Sequence, residues 1–410
     1  VLAEVYGRMV FARADAIDEK RLSPRAMDAW LAWYATTPDT PCIAICSTSQ
    51  GDAWCKGCGR SFGEVQHWLA MSPVDKRAVW RRITQEGRAL RFTRYAERAE
   101  NLSRLLKHVI AKVTQIEDFS SPADLAKLLK MVTHVTGEYP GFIGDDAAEL
   151  LQRPENELKR LIYDASVSGS VRYNVLSLIR ASQNLRDNLS DDMRRVISQL
   201  EVEPYASSVY SIQHAHLFDV VIYLSSISGL SQENMSREVG WHFLELGRRI
   251  ERAAFSLRVL KSFVSLGSIY DKFVVENLLS INDIRITYMR RYGHRIETDS
   301  VLDILLFDET NPRSLGYQIA KIQKYVPLLP AKAEGARPLT EKIALKLFTA
   351  YRTSDIREFF AHENPAGELT PWLNGLGEQL GELGRSIADS YFTYVEEQYR
   401  IGEMDGQSNG

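Results

Sequence analysis

The stretch Gly240-Trp241-His242-Phe243-Leu244-Glu245-Leu246-Gly247-Arg248-Arg249-Ile250-Glu251-Arg252-Ala253-Ala254-Phe255-Ser256-Leu257-Arg258-Val259-Leu260 has apolar side chains on both sides when wound at helical period. Trp241, Leu244, Phe255 and Val259 fall on the Glu251 side, and Leu246, Ala253, Leu257 and Leu260 on the other. A helix of that kind sits inside a bundle, so its charges need partners within bonding reach. An unpaired buried charge would destabilise the fold strongly.

The same charge pattern occurs earlier in the chain. Arg94-Tyr95-Ala96-Glu97-Arg98-Ala99 aligns with Arg248-Arg249-Ile250-Glu251-Arg252-Ala253, and Arg104 aligns with Arg258, at a separation of 154 residues. Offsets of three and ten residues differ by about -60° and -80° around a helix, which places Arg94, Glu97 and Arg104 in one broad stripe. The second copy has the same geometry. Taken alone, the first helix is amphipathic, with Phe92, Tyr95, Ala99, Leu102, Leu106 and Ile110 on one face and Glu97 nearly opposite. Two such helices, one from each half, are expected to pack with their charged stripes converging. That convergence makes either a structural salt-bridge network or a polar site facing a ligand.

Helical periodicity continues through most of the chain after residue 86. It predicts helices at Arg88 to Thr114, Pro122 to Thr136, Val171 to Leu189, Asp191 to Leu200, Leu217 to Ser228, Arg237 to Val264, Val274 to Arg291, Pro312 to Tyr325, Leu339 to Tyr351 and Leu373 to Arg400. Ser121-Pro122 and Asn311-Pro312 have the pattern of an N-cap followed by proline at the first helical position. The fold class expected is all-α: a helical bundle from a tandem duplication, preceded by a small four-cysteine module. The divisions are residues 1–37, an N-terminal helical segment; 38–87, the cysteine module; 88–400, the helical domain; and 401–410, a frayed tail.

Composition is that of a globular protein, with 45% apolar and 25% charged residues in a chain of 410. A formal net charge of -3 supplies no global basic field, which argues against general nucleic-acid binding. The longest apolar run, Ala29 to Ala35, is too short for a membrane span. Charged residues interrupt the start before a signal-peptide core forms, so a soluble cytoplasmic protein is expected. No GxxxxGK[ST], GxGxxG or GxSxG string is present.

All four cysteines, Cys42, Cys46, Cys55 and Cys58, fall in one short segment beside Gly51, Gly57 and Gly59. Clustered thiolates with turn-forming glycines point to a metal, either zinc or an iron-sulfur cluster. Disulfides are disfavoured in a reducing compartment. Elsewhere, His214 and His216 lack an acidic partner at ligand spacing. Asp303, Asp308 and Glu309 fit helix capping, and Ser168 to Ser170 fits a loop before a helix. Arg313, beside Asn311 at a helix start, is placed to attract carboxylate or phosphate.

Two resemblances follow from these residues. The run Pro41-Cys42-Ile43-Ala44-Ile45-Cys46, with Cys55-Lys56-Gly57-Cys58-Gly59-Arg60, Glu64, Trp68, Met71-Ser72 and Lys76-Arg77, resembles small bacterial cysteine-rich proteins described as predicted iron-sulfur proteins. The two Glu-Arg helices, with Met235 and Asp308-Glu309-Thr310-Asn311-Pro312-Arg313-Ser314-Leu315, resemble the alpha-E family over about residues 88 to 400. That resemblance implies an all-helical domain with a tandem Glu-Arg motif. An Asn- and Arg-rich helix is expected between the copies, with Arg180, Asn184 and Arg186 as candidates. It also implies service to a peptide synthesis or modification system, with an ATP-grasp-type ligase or a transglutaminase-like protein as partner. The two resemblances overlap near residues 86 to 98, which puts a boundary inside one continuous helix.

The leading expectation is therefore an accessory helical protein carrying a metal-bound cysteine module. The alternative is an enzyme in which Glu97 or Glu251 acts as general base on an acyl or phosphorylated substrate. Anion-binding candidates are Arg94, Arg98, Arg104, Arg248, Arg252, Arg258, Asn311 and Arg313. A third reading makes the cysteine module a redox sensor.

Overall fold

The computed structural model describes residue 60 and residues 62–72, 75–76, 79, 88–114, 121–183, 185, 189–267, 269–329 and 337–392. Every regular element among the described residues is helical. A short N-terminal element, α1 (Phe62–His67), runs into a 3-10 turn at Trp68–Ala70, where Arg60 stacks 4.8 Å from the Trp68 ring.

The main body begins with α2 (Arg88–Thr114) and α3 (Pro122–Thr136). Then come α4 (Ala147–Gln152), α5 (Glu155–Tyr163), α6 (Val171–Gln183), α7 (Asp191–Glu201) and α8 (Tyr210–Asn234). The second half starts at α9 (Val239–Ser265) and continues through α10 (Lys272–Ile281), α11 (Arg285–Tyr292), α12 (Thr298–Leu306) and α13 (Leu315–Tyr325). It ends with α14 (Leu339–Arg352), α15 (Ile356–Phe360) and α16 (Pro365–Phe392). Helices α2 and α9 lie against each other as the central pair. Around them, α6 and α8 cover α2, α13 and α16 cover α9, and α3 touches both. This is the expected all-α bundle with the duplicated helices at its centre.

Local chemistry sets many of the helix ends. Ser121 accepts from Asp124 N–H at 3.2 Å with Pro122 at the first position, and Gly137 closes α3 with φ 74°. Ser190, Asp271 and Ser314 cap α7, α10 and α13 in the same way.

Several sequence expectations are corrected. Val274 to Arg291 is two helices, because the chain leaves the helical path after Asn282, at Asp283, which takes φ 56°. Helix α8 extends well beyond Leu217 to Ser228, and α16 starts earlier than Leu373, with Pro371 inside it. Asn311 is not the N-cap. Its Oδ1 accepts from Arg313 N–H at 3.0 Å in a turn, and Ser314 caps α13. The first Glu-Arg helix is not amphipathic in its surroundings either, since Glu97 is buried like the apolar face opposite it. Residues 1–37 and 401–410 and all four cysteines lie outside the described residues.

The two central helices approach closely at one glycine. A Cβ on Gly247 would lie 2.3 Å from Thr93 Oγ1 and 2.5 Å from the Leu90 carbonyl oxygen, so the backbone of α2 rests on this position of α9. Thr93 is the position equivalent to Gly247 in the repeat. The pair thus meets where its two copies coincide, and the charged turns that follow are brought opposite one another.

Candidate functional site

One turn beyond that contact, the repeated charges exchange partners across the helix pair. Glu251 of α9 receives Arg94 of α2 (Nε to Oε2, 3.2 Å) and Arg98 of α2 (Nε to Oε1, 2.7 Å). Reciprocally, Glu97 of α2 receives Arg252 of α9 through two aligned bonds, Nη2 to Oε1 at 2.7 Å and Nε to Oε2 at 2.9 Å. Arg248 lies 3.5 Å from the same carboxylate. The fork-to-fork geometry of Arg252 fixes the register of one helix on the other.

The two halves of this clasp are unequal. Around Glu251 the cations Arg94, Arg98 and Arg258 keep 35%, 37% and 39% of their side-chain exposure. Around Glu97, Arg248 and Arg252 keep 4% and 10%. The closed end is roofed by the turn before α13. There Arg313 donates to Glu100 at 2.9 Å, and Arg252 reaches the Pro312 carbonyl at 3.5 Å. Gln318 also donates to the Pro312 carbonyl, at 2.6 Å. Arg104 does not join the Glu97–Glu251 exchange. It binds Glu100 at 2.9 Å and Asp283 at 3.3 Å. Arg258 keeps the repeat's expectation, 3.5 Å from Glu251.

Two carboxylates of this network were missed by the repeat. Glu100 aligns with Ala254, so the duplication gives no hint of it. Glu245 is 2% exposed and pairs with Arg248 and with Arg249, the latter at 2.6 Å. Its signal was available in the spacing Glu245, Arg248, Arg249, which stacks i, i+3 and i+4 on one helical face.

The guanidinium groups control the ionisation of these acids. Burial alone would raise Glu251, but Arg98 and Arg94, with Arg258 behind them, outweigh it and hold the carboxyl at about 2. Glu100 is likewise held at about 2, with Arg313, Arg252 and Arg104 overcoming burial. Glu245 is also lowered against the effect of burial, by Arg248 and Arg249. The folded protein therefore takes up these protons at lower pH than the unfolded chain. For Glu251 and Glu100 the stabilisation is complete above about pH 5 and is lost as the pH falls toward 2. We expect the gap in urea midpoint between the native protein and Glu251→Gln to be constant from neutral pH to about 5 and to close as the pH approaches about 2. A gap that does not change with pH would contradict this.

Other candidates are placed as follows. His214 and His216 sit two residues apart on α8, and His216 stacks on Tyr163 with ring centroids 5.4 Å apart. No group of three or more metal-ligating side chains occurs among the described residues. Asp303 accepts from Tyr292, Asp308 pairs with Arg291 at 2.9 Å, and Glu309 with Arg352 at 2.9 Å. Arg180 is on the exposed side of α6, and Asn184 and Arg186 lie outside the described residues. Ser168 to Ser170 form the loop before α6, held by Glu138, which accepts from Gly169 N–H at 2.6 Å. No helix among the described residues is long and apolar enough to cross a membrane.

Comparison with known proteins places this geometry. Residues 92–392 match the model of a family, Alpha-E, described as a predicted alpha-helical domain with a conserved ER motif. Residues 40–87 match DUF1289, a cysteine-rich family of unknown function, and residues 1–35 match another of unknown function, DUF3717. Uncharacterized proteins of Mycobacterium tuberculosis (strain H37Rv) and Mycobacterium bovis are each 26% identical over 379 residues, covering 87% of this chain. The chain accounts for 42% of the length of these relatives. No solved structure gives a significant match.

Proposed function

Because the chain belongs to the Alpha-E family, and its two Glu-Arg pairs, Glu97-Arg98 and Glu251-Arg252, form the clasp between α2 and α9, we propose that it is a non-catalytic accessory protein of a peptide synthesis or modification system. Its partner in this reading is an ATP-grasp-type ligase or a transglutaminase-like protein. The observation that carries the non-catalytic part is the state of the glutamates in the two Glu-Arg pairs; the partner is what the family resemblance implies. Glu97 is 2% exposed with both oxygens taken by Arg252, and Glu251 is 1% exposed and held ionised by three arginines. A carboxylate held at about 2 is a poor proton acceptor at neutral pH, which counts against a general base at Glu251.

The test is co-purification with a ligase encoded alongside the protein, followed by ligase turnover with and without it. A stable complex or altered turnover supports the accessory role, and neither would remove it. The alternative, an enzyme acting on an acyl or phosphorylated peptide, requires Glu251→Gln to abolish a measurable turnover while the fold stays intact.

In the same proposal, Cys42, Cys46, Cys55 and Cys58 hold zinc or an iron-sulfur cluster, four thiolates being a donor set that suits both. Metal analysis and an absorption spectrum of the protein as isolated are expected to show one equivalent of zinc without colour, or iron with visible absorption. Cys55→Ser with Cys58→Ser is expected to lose that metal. Protein isolated with all four thiols intact and without metal would contradict the proposal.

A further inference from the structure

The open half of the clasp borders a cavity of about 240 Å³ between α2, α3, α6 and α9, lined by Arg98, Arg258, Asn174, Leu102, Val135 and Phe255 among others. Three features of this space point to an occupant. First, charge is unbalanced, because Arg94, Arg98 and Arg258 face one carboxylate, Glu251. Second, Arg258 Nε is buried and has no hydrogen-bond acceptor; Glu251 Oε1, 3.5 Å from Arg258 Nη2, is likewise buried without a hydrogen bond, so the two do not satisfy each other. Burial depresses the Arg258 guanidinium and the nearby Arg98 and Arg94 add to this, with Glu251 opposing them. An anion beside it would relieve both the repulsion and the missing bond. Third, Asn174 is 1% exposed and its Oδ1 also lacks a partner. Its orientation is fixed, since Nδ2 donates to the carbonyls of Ser168 (3.1 Å) and Ser170 (2.7 Å). The residues lining the cavity thus include a cation with an unmet donor and an amide with an unmet acceptor, and the rest of the lining is a mixture of polar and apolar side chains.

We propose that this cavity binds a small carboxylate that also carries an amide N–H, an N-acylated amino acid or the last residue of a peptide. The carboxylate pairs with Arg258 and Arg98, the N–H donates to Asn174 Oδ1, and an apolar side chain lies against Leu102, Val135 and Phe255. At about 240 Å³ the space is below the usual range for drug-sized ligands, which begins near ~300 Å³, and suits one residue. Phosphate pairs with the guanidinium groups and can offer a P–OH to Asn174, but it has no apolar group to set against Leu102, Val135 and Phe255. The inference stands independently of any ligase partner.

The test is titration calorimetry on the full chain with N-acetyl-L-leucine, N-acetyl-L-leucinamide, 4-methylpentanoate, inorganic phosphate and a tripeptide ending in leucine. N-acetyl-L-leucine, the tripeptide or both are expected to saturate, and the tighter of the two identifies the source. Loss of the carboxylate, or of the amide N–H, is expected to weaken binding about tenfold or more. Arg258→Gln is expected to do the same, and Arg258→Lys, which keeps a cation beside Glu251, to weaken binding less; a thermal melt of each variant separates lost binding from lost fold, since Arg258 also neighbours Glu251. Phosphate binding as tightly as N-acetyl-L-leucine, equal binding of the leucinamide, or no saturable heat with either leucine ligand would overturn the proposal. Should Arg258→Gln fail to fold, the ligand series on the native protein decides alone.

Discussion

A Glu97→Ala variant is expected to lose about 3–5 kcal/mol of unfolding free energy, the loss typical of breaking a buried ion pair from one side. The reason is what remains behind. Arg252 is 10% exposed and gives two hydrogen bonds to Glu97, and Arg248 is 4% exposed and lies 3.5 Å away. Removing the carboxylate leaves two guanidinium groups in a closed space, with Glu100 and Glu245 as the neighbouring acids. Glu251→Ala is expected to cost less, because Arg94, Arg98 and Arg258 retain 35–39% exposure and can turn to water. Urea denaturation of both variants checks the order. A larger loss at Glu251 than at Glu97 would contradict the inequality of the two ends.

The second large effect is expected at Gly247. Valine there is expected to cost about 3 kcal/mol or more, at the upper end for overpacking. Its Cβ would meet Thr93 Oγ1 at 2.3 Å and the Leu90 carbonyl oxygen at 2.5 Å. The threonine hydroxyl can be removed by mutation, but the carbonyl belongs to the backbone of α2. Thr93→Ala should therefore rescue Gly247→Val only in part. An unchanged thermal midpoint, or full rescue, would mean that the central helices do not meet through this glycine.

Much of this arrangement is legible in the amino-acid sequence. The spacing R-x-x-E-R-A in two places fixed which residues repeat, and the apolar surroundings of Glu251 required that helix to be buried. The ends of α3 agree with the expected boundaries because Ser121, Pro122 and Gly137 act locally. What helical phase does not contain is the identity of the neighbour. From the first copy alone Glu97 pointed away from the apolar face, toward what reads as solvent. In the protein that side is covered by α9 and the Asn311–Pro312–Arg313 turn. Partner exchange between the copies depends on the close approach at Gly247. That glycine, in the middle of a strong helix pattern, was a visible sign of contact. The break at Asp283 carried no proline or glycine to announce it, and α4, α5, α12 and α15 are too short for their period to stand out. The cavity beside Arg258 was not legible at all, because Val135, Asn174 and Phe255 are brought together only by tertiary packing.

Everything proposed for the central pair rests on Glu97 and Arg252 depending on each other. A double-mutant cycle with Glu97→Leu and Arg252→Leu measures that dependence in one set of urea titrations. The reciprocal clasp predicts a large loss in each single variant and a double variant losing far less than their sum, with a coupling of about 2 kcal/mol or more. Losses that add to within about 0.5 kcal/mol would show that the two side chains do not act as a pair.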